Sequence, residues 1–232
     1  MKEMLTNKIL TGLPDSEFAR LMPLLQPVTL SAGERLLEAG ETARFIYFPE
    51  NSIISCRAEM QDGKSAEVGM IGFEGVAGLT ALLGSRPAAH SLNVSVSGSA
   101  LKINKQEFDR ELERAEGLRQ SLIAYSGEYL TQVSQRAACA ILHRMEQRLA
   151  VWLLLVADRL DTDMIQITQE QIAHHLGVRR AGVTVVAGEM QAAGAIIYTR
   201  GNLRLNDRQM LEAMACECYA ALVAGHQQTT YM

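Results

Sequence analysis

The hydrophobic pattern of this chain changes its period near residue 104, and that change limits the architectures open to it. From about Val28 to Ile103, short apolar or alternating runs recur: Phe45-Ile-Tyr-Phe48, Ser52-Ile-Ile-Ser55, Glu67-Val-Gly-Met-Ile71 and Ser91-Leu-Asn-Val-Ser-Val96. Glycines from Gly33 to Gly98 punctuate them. Short strands with turn signals at roughly 8–12-residue spacing predict a β-sandwich or β-barrel. Beyond Asn104 the glycines thin out. Leu118, Leu122, Tyr125, Tyr129, Val133, Ala137 and Ala140 return every three or four residues, the stripe of one long helix. Such a stripe wants a partner, either the chain's own β-domain or the same helix of a second copy. Its length without internal caps favours the second, a coiled-coil-like seam. Ahead of the strands, Pro14-Asp-Ser-Glu17 opens a short helix carrying Phe18, Leu21 and Leu25. The fold class is α+β.

A chain of 232 residues with 48% hydrophobic side chains can bury a genuine core. Its longest apolar run, Leu149 to Ala157, would rise only about 14 Å as a helix, against roughly 30 Å of bilayer core. No apolar stretch of signal-peptide length precedes Pro14. A soluble, cytoplasmic protein without a membrane partner is therefore expected. Four cysteines without framework spacing fit a reducing compartment. Cys56, Cys139, Cys216 and Cys218 read as reduced packing residues, since positions two apart on a helix face different ways. Redox or metal responsiveness at Cys216 and Cys218 is the competing reading, and no metal ligands are assigned.

The net charge of −4 argues against a polyanionic partner only until the charges are located. Between Leu176 and Arg208, Arg179, Arg180, Arg200, Arg204 and Arg208 stand against Glu189 and Asp207 alone. Within that basic patch, Thr168 and Gln171 have capping-box spacing, Ile172 and Leu176 pair at i, i+4, and Gly177 stops the helix. Val183, Val186 and Met190 continue a second helix, closed by Gly194. Two short helices joined by a glycine turn make a helix-turn-helix. The second opens on Arg179 and Arg180, where a polar cap is preferred and positive charge opposes the helix dipole. A docked anion removes that conflict, and DNA supplies phosphates and guanine acceptors that arginine contacts in bidentate fashion. Alternating residues around Arg200-Gly-Asn202 predict a hairpin, or wing, with Arg200 and Arg204 placed for backbone contacts.

In this order the segments resemble the Crp/Fnr superfamily of bacterial transcription regulators. The resemblance rests on Leu30-Ser-Ala-Gly-Glu-Arg-Leu-Leu-Glu-Ala-Gly-Glu-Thr-Ala-Arg-Phe-Ile-Tyr47, on Glu146-Gln-Arg-Leu-Ala150 and on Leu176-Gly-Val-Arg-Arg-Ala-Gly-Val-Thr184. It implies a cyclic-nucleotide-binding-like β-roll of jelly-roll type over 1–110, a dimerisation helix over 111–141 and a winged helix-turn-helix over 142–232. The DNA-contacting set it implies is Arg179, Arg180 and Thr184 at base edges, with Gln169, Thr168, Arg200 and Arg204 beside them. Its effector pocket falls on Gly72, Glu74, Gly75, His90 and Ser91. Relatives that bind cyclic AMP carry an arginine where His90 stands, and Arg86 is out of register, so the phosphate clamp is lost and cyclic AMP is not expected to bind. Ala181 and Val185 replace a glutamate and an arginine of the recognition helix, so the operator should differ. The implied partners are a pseudo-palindromic DNA duplex and a second copy of the chain, with RNA polymerase and a small-molecule effector as further candidates.

Enzymatic readings fail on residue counts. Of the histidines 90, 143, 174, 175 and 226, His90 alone falls in the β-region, too few for a cupin metal centre. Cysteines clustered near the N-terminus, as an iron–sulfur sensor requires, are missing. The chain is expected not to be an enzyme, and no cofactor is assigned. The competing class is a ligand-binding or scaffold protein with a vestigial winged helix.

Overall fold

Two antiparallel sheets face one another in the N-terminal half of the computed structural model, which describes residues 2–62, 64–79 and 87–228, with side chains in the last helix through 224. Arg86 lies outside the described residues. Strands β1 (Gln26–Leu30), β7 (Gly98–Asn104) and β3 (Phe45–Pro49) form one sheet in the order β1-β7-β3. Strands β2 (Arg35–Leu37), β6 (Ser91–Val96), β4 (Ile53–Glu59) and β5 (Ser65–Ile71) form the other, in the order β2-β6-β4-β5. Leu30, Tyr47, Ile54, Ile71, Val94 and Ala100 fill the space between them. Four of these strands contain the runs singled out in the sequence. β1 and β2 escape pattern reading because β1 is mostly exposed and carries Pro27, while β2 is three residues long and bulged.

Short helices α1 (Lys8–Gly12) and α2 (Asp15–Leu21) precede the sheets, and α3 (Lys105–Leu112) and α4 (Glu116–Leu142) follow them. The stripe of α4 corrects the sequence reading. Leu118, Leu122 and Tyr125 are buried against Ile46, Phe48, Val76 and Phe108 of the chain's own β-domain, with Tyr129 packed alongside. The face left in solvent is another one: Ile123, Leu130 and Ile141 are 69%, 67% and 82% exposed. With Gly127, Ser134 and Ala137, they recur at spacings of 4, 3, 4, 3 and 4. That alternation has heptad spacing, and it runs from residue 123 to residue 141 of the helix.

After a break at His143 and Arg144, α5 (Met145–Leu160) is buried on nearly every side. Around it fold β8 (Met164–Gln166), α6 (Gln169–Leu176), α7 (Arg180–Ala192), the hairpin β9 (Ile196–Thr199) and β10 (Asn202–Leu205), α8 (Arg208–Met214) and α9 (Cys218–Gln228). Strands β8, β10 and β9 form a third antiparallel sheet. One apolar cluster joins α5 and this C-terminal unit to Ile53, Met70 and Val96 of the second β-sheet, so the two halves share a core. The cysteine reading also needs correction. Cys216 lies in the connection before α9, and only Cys218 is helical, so the rule for facing positions on one helix does not separate them. No described helix is long and apolar enough to cross a membrane.

Candidate nucleic-acid interface

Local chemistry sets the helix-turn-helix. The Thr168 hydroxyl accepts from the Gln171 backbone N–H at 3.2 Å, and the Thr168 backbone N–H donates to Gln171 Oε1 at 2.8 Å. Two orphan donors at the start of α6 are thereby satisfied reciprocally. The helix ends at Gly177 with φ +64°, a left-handed conformation that costs a residue with a Cβ about 1–2 kcal/mol. Three residues later α7 begins. Its N-cap, Arg179, makes no side-chain capping bond, and Arg179 and Arg180 are both exposed. Glu170, the nearest acid on the N-terminal side, faces His174 at 3.8 Å, and neither arginine makes an ion pair among the described residues.

One turn into α7, the Thr184 hydroxyl donates to Gln169 Oε1 at 2.7 Å and so ties the two helices together. Thr168, Gln169, Arg180 and Arg200 line one open groove between the helices and the wing. Arg179 is the exposed residue just before α7, and Arg204 projects from β10, where it donates to Asn206 Oδ1 at 3.0 Å. Tyr198 and Gly201 also line the groove, and the sequence reading missed both. The Tyr198 hydroxyl donates to the carbonyl of Ile167, just ahead of α6, at 2.9 Å. Burial pushes that hydroxyl's pKa up, while a backbone hydrogen bond at Gln169 and the Arg180 charge pull against the rise. Arg208 leaves the basic patch. It bonds Asp158 and Glu212 and serves the fold.

The wing turn is made by Arg200 and Gly201, at φ +44° and +86°. A two-residue hairpin turn with positive φ at both central positions suits the twist of the strands, but favours asparagine or glycine over arginine. The chain therefore holds a long cation in a strained backbone position at the rim of the groove.

The cassette residues are occupied in other ways. Glu74 and Arg159 form a buried ion pair at 2.8 Å, and Glu74 Oε1 also accepts the Gly72 N–H at 3.2 Å. A Cβ at Gly75 would collide with the Tyr125 hydroxyl, so glycine is what lets the long helix approach here. Ser91 is buried elsewhere, donating to Glu59 Oε1 at 2.8 Å and accepting from Asn93. His90 is half-buried just ahead of β6. Glu74 thus turns toward α5 and Ser91 toward β4.

A second polar centre lies where the two halves meet. Glu67 of β5 is fully buried, with Arg136 of α4 at 2.8 Å, His175 Nδ1 of α6 at 2.8 Å and Trp152 Nε1 of α5 donating at 3.2 Å. The Ser55 hydroxyl also bonds Glu67 and is in turn paired with Ser95. The His175 and Trp152 rings stack with centroids 4.8 Å apart. Burial alone would raise the Glu67 carboxyl, but Arg136, His175 and Ser55 together hold it down at about 2. A pocket of about 230 Å³ opens beside it, lined in part by Glu67, Arg136, Arg148, Trp152 and His175. The sequence hint was an acid set in an inward register of a buried strand.

Comparison with known proteins supports this division of labour. Residues 27–115 match the family described as a cyclic nucleotide-binding domain, and residues 147–214 match a Crp-like helix-turn-helix domain; together they span about two thirds of the chain. No curated protein sequence matches it. Among solved structures, FixK2 from Bradyrhizobium japonicum is similar with a TM-score of 0.69 at 15% identity, over 83% of this chain and 98% of that one. A CRP-family transcriptional regulator from Thermus thermophilus gives 0.68 at 17% identity, over 81% and 96%. The c-di-GMP-responsive regulator CLP of Xanthomonas campestris gives 0.67 at 13%, over 84% and 100%. At these identities the likeness is one of fold.

Proposed function

We propose, from the premise that this chain belongs to the Crp/Fnr superfamily of transcription regulators, that it binds a pseudo-palindromic DNA operator as a homodimer. The family's members are regulators rather than enzymes. The observation that carries the proposal is the pair of exposed guanidinium groups at the mouth of α7, without an ion pair among the described residues and beside a groove that also holds Gln169, Thr168 and Arg200. Arg180, Arg179 and Thr184 are assigned to base edges, and Arg200, Arg204, Gln169 and Thr168 to the sugar-phosphate backbone. The heptad seam of α4 takes the second copy, which sets two recognition helices about 34 Å apart, one turn of duplex. Cyclic AMP is not the effector, because Glu74 is committed to Arg159 and Ser91 to Glu59. An effector of other chemistry and RNA polymerase complete the proposed partners.

Gel shifts with genomic fragments test the assignment. Arg180→Ala should weaken binding to the preferred fragment by about 1–3 kcal/mol, or roughly 5- to 150-fold, and relax its sequence preference. Unaltered affinity and preference would remove α7 from the major groove. Arg200→Asn should behave differently. It should weaken all sequences alike, lower the salt slope by about 1, and stabilise the fold by about 1 kcal/mol in urea, since asparagine tolerates positive φ. A stabilised variant with the wild-type salt slope would show that the wing tip does not touch phosphate.

A further inference from the structure

Cys139 and His143 occupy the last turn of α4 and its C-cap, four residues apart and on one face. Across from them, the α8–α9 connection delivers Cys216, and the first residue of α9 delivers Cys218. One donor atom from each of these residues lies within 4.8 Å of all the others. Cys139 Sγ is 3.6 Å from Cys216 Sγ, and Cys218 Sγ is 3.5 Å from His143 Nδ1. A tetrahedral zinc ion with Zn–S bonds of about 2.3 Å and Zn–N bonds of about 2.05 Å sets its ligands apart by about 3.8 Å (S to S) and about 3.6 Å (S to N). The free thiols already stand close to those separations.

The surroundings point the same way. His143 presents Nδ1 to the thiols and Nε2 to the Glu217 carboxylate, 3.2 Å away. A carboxylate behind a ligating imidazole fixes its tautomer and raises its basicity. Gln135 Nε2 donates to Cys218 Sγ at 3.1 Å, a bond that favours a thiolate. The three cysteines are buried, so a bound ion would be shielded from water.

We infer that Cys139, His143, Cys216 and Cys218 form a tetrahedral zinc site of the Cys3His type, with Glu217 and Gln135 orienting its ligands. Three thiolates and an imidazole suit zinc over hard cations such as magnesium or calcium. An iron–sulfur cluster places inorganic sulfides between its irons and its thiolates, and this group of donors is too tight for that. Four protein ligands leave no open position, so the ion is structural. It pins the α8–α9 segment to the hinge between α4 and α5, the joint through which the long helix holds the DNA-binding unit. The site stands independently of the DNA reading.

Metal analysis of the purified full-length protein tests it. About one zinc per chain is expected, and after chelation cobalt(II) alone should give the intense visible bands of a thiolate-rich tetrahedral site, displaced by zinc. Cys218→Ser and His143→Ala should lose those bands, whereas Cys56→Ser should keep them. If ligand variants fail to fold, Glu217→Gln decides: it should fold normally and hold zinc about 10- to 100-fold more weakly. Four results would overturn the site: no zinc and no cobalt bands in the wild type, iron with acid-labile sulfide in its place, a Cys139–Cys216 disulfide that takes up no metal after reduction, or an unaltered zinc affinity in Glu217→Gln.

Discussion

Leu130→Glu should break the proposed dimer into monomers and weaken binding to the proposed operator by about 10²–10⁴-fold, the gain that linking two half-site contacts normally confers. Leu130 is 67% exposed and belongs to none of the apolar clusters of its own chain, so the variant should keep the wild-type fold by circular dichroism. In a helix pair it would sit at the centre of the seam, between Ile123 and Ile141, and each chain would bury a carboxylate against its mate. Sedimentation equilibrium reads the loss directly, and gel shifts on full and half operators read its consequence. A variant that stays dimeric would move the interface away from this face. Tyr125→Ala makes the contrast: Tyr125 is 2% exposed and carries the inward stripe, so its truncation should cost stability first.

The two stripes of α4 show where sequence reasoning stops. Periodicity says which residues share a face, but two faces of this helix are apolar, and only tertiary packing says which one the β-domain takes. Leu118, Leu122 and Tyr125 went inward against Phe48 and Phe108, while Ile123, Leu130 and Ile141 stayed in solvent. The helix-turn-helix was legible because its determinants are local: a capping box four residues long, a glycine stop and an uncapped pair of arginines. The wing was legible for the same reason, although Tyr198 became visible only once β9 was set against α6. Distance in sequence hid the rest. Cys139 and Cys216 are neighbours only through the way α9 returns to the long helix, and Ser91 and Glu74 part company through sheet topology. The polar face of β6 belongs here too. Ser91, Asn93 and Ser95 alternate as a solvent-facing edge would, yet all are buried, Ser95 within the polar junction of the two halves.

That junction carries the second large effect. Glu67→Gln should destabilise the protein by about 3–5 kcal/mol, because it leaves Arg136 and His175 without the charge they surround. For a chain of this size the melting temperature should fall by on the order of 10 °C. Acid titration supplies a signature that a simple packing defect would not give. The Glu67 carboxyl is held at about 2 in the folded protein and returns to about 4.5 when unfolded. Between those values the unfolded chain binds the extra proton, so stability rises with pH. The contribution is complete above about pH 4.5 and is lost as pH falls toward 2, an amount of roughly 3 kcal/mol. In Glu67→Gln that part of the acid limb should flatten. Because the carboxylate bonds β5 of the N-terminal domain to α5 and to α6 of the helix-turn-helix, hydrogen exchange in α6 should quicken in the variant at neutral pH. Wild-type exchange and an unchanged acid limb would mean that the two halves are held together by their shared apolar core alone.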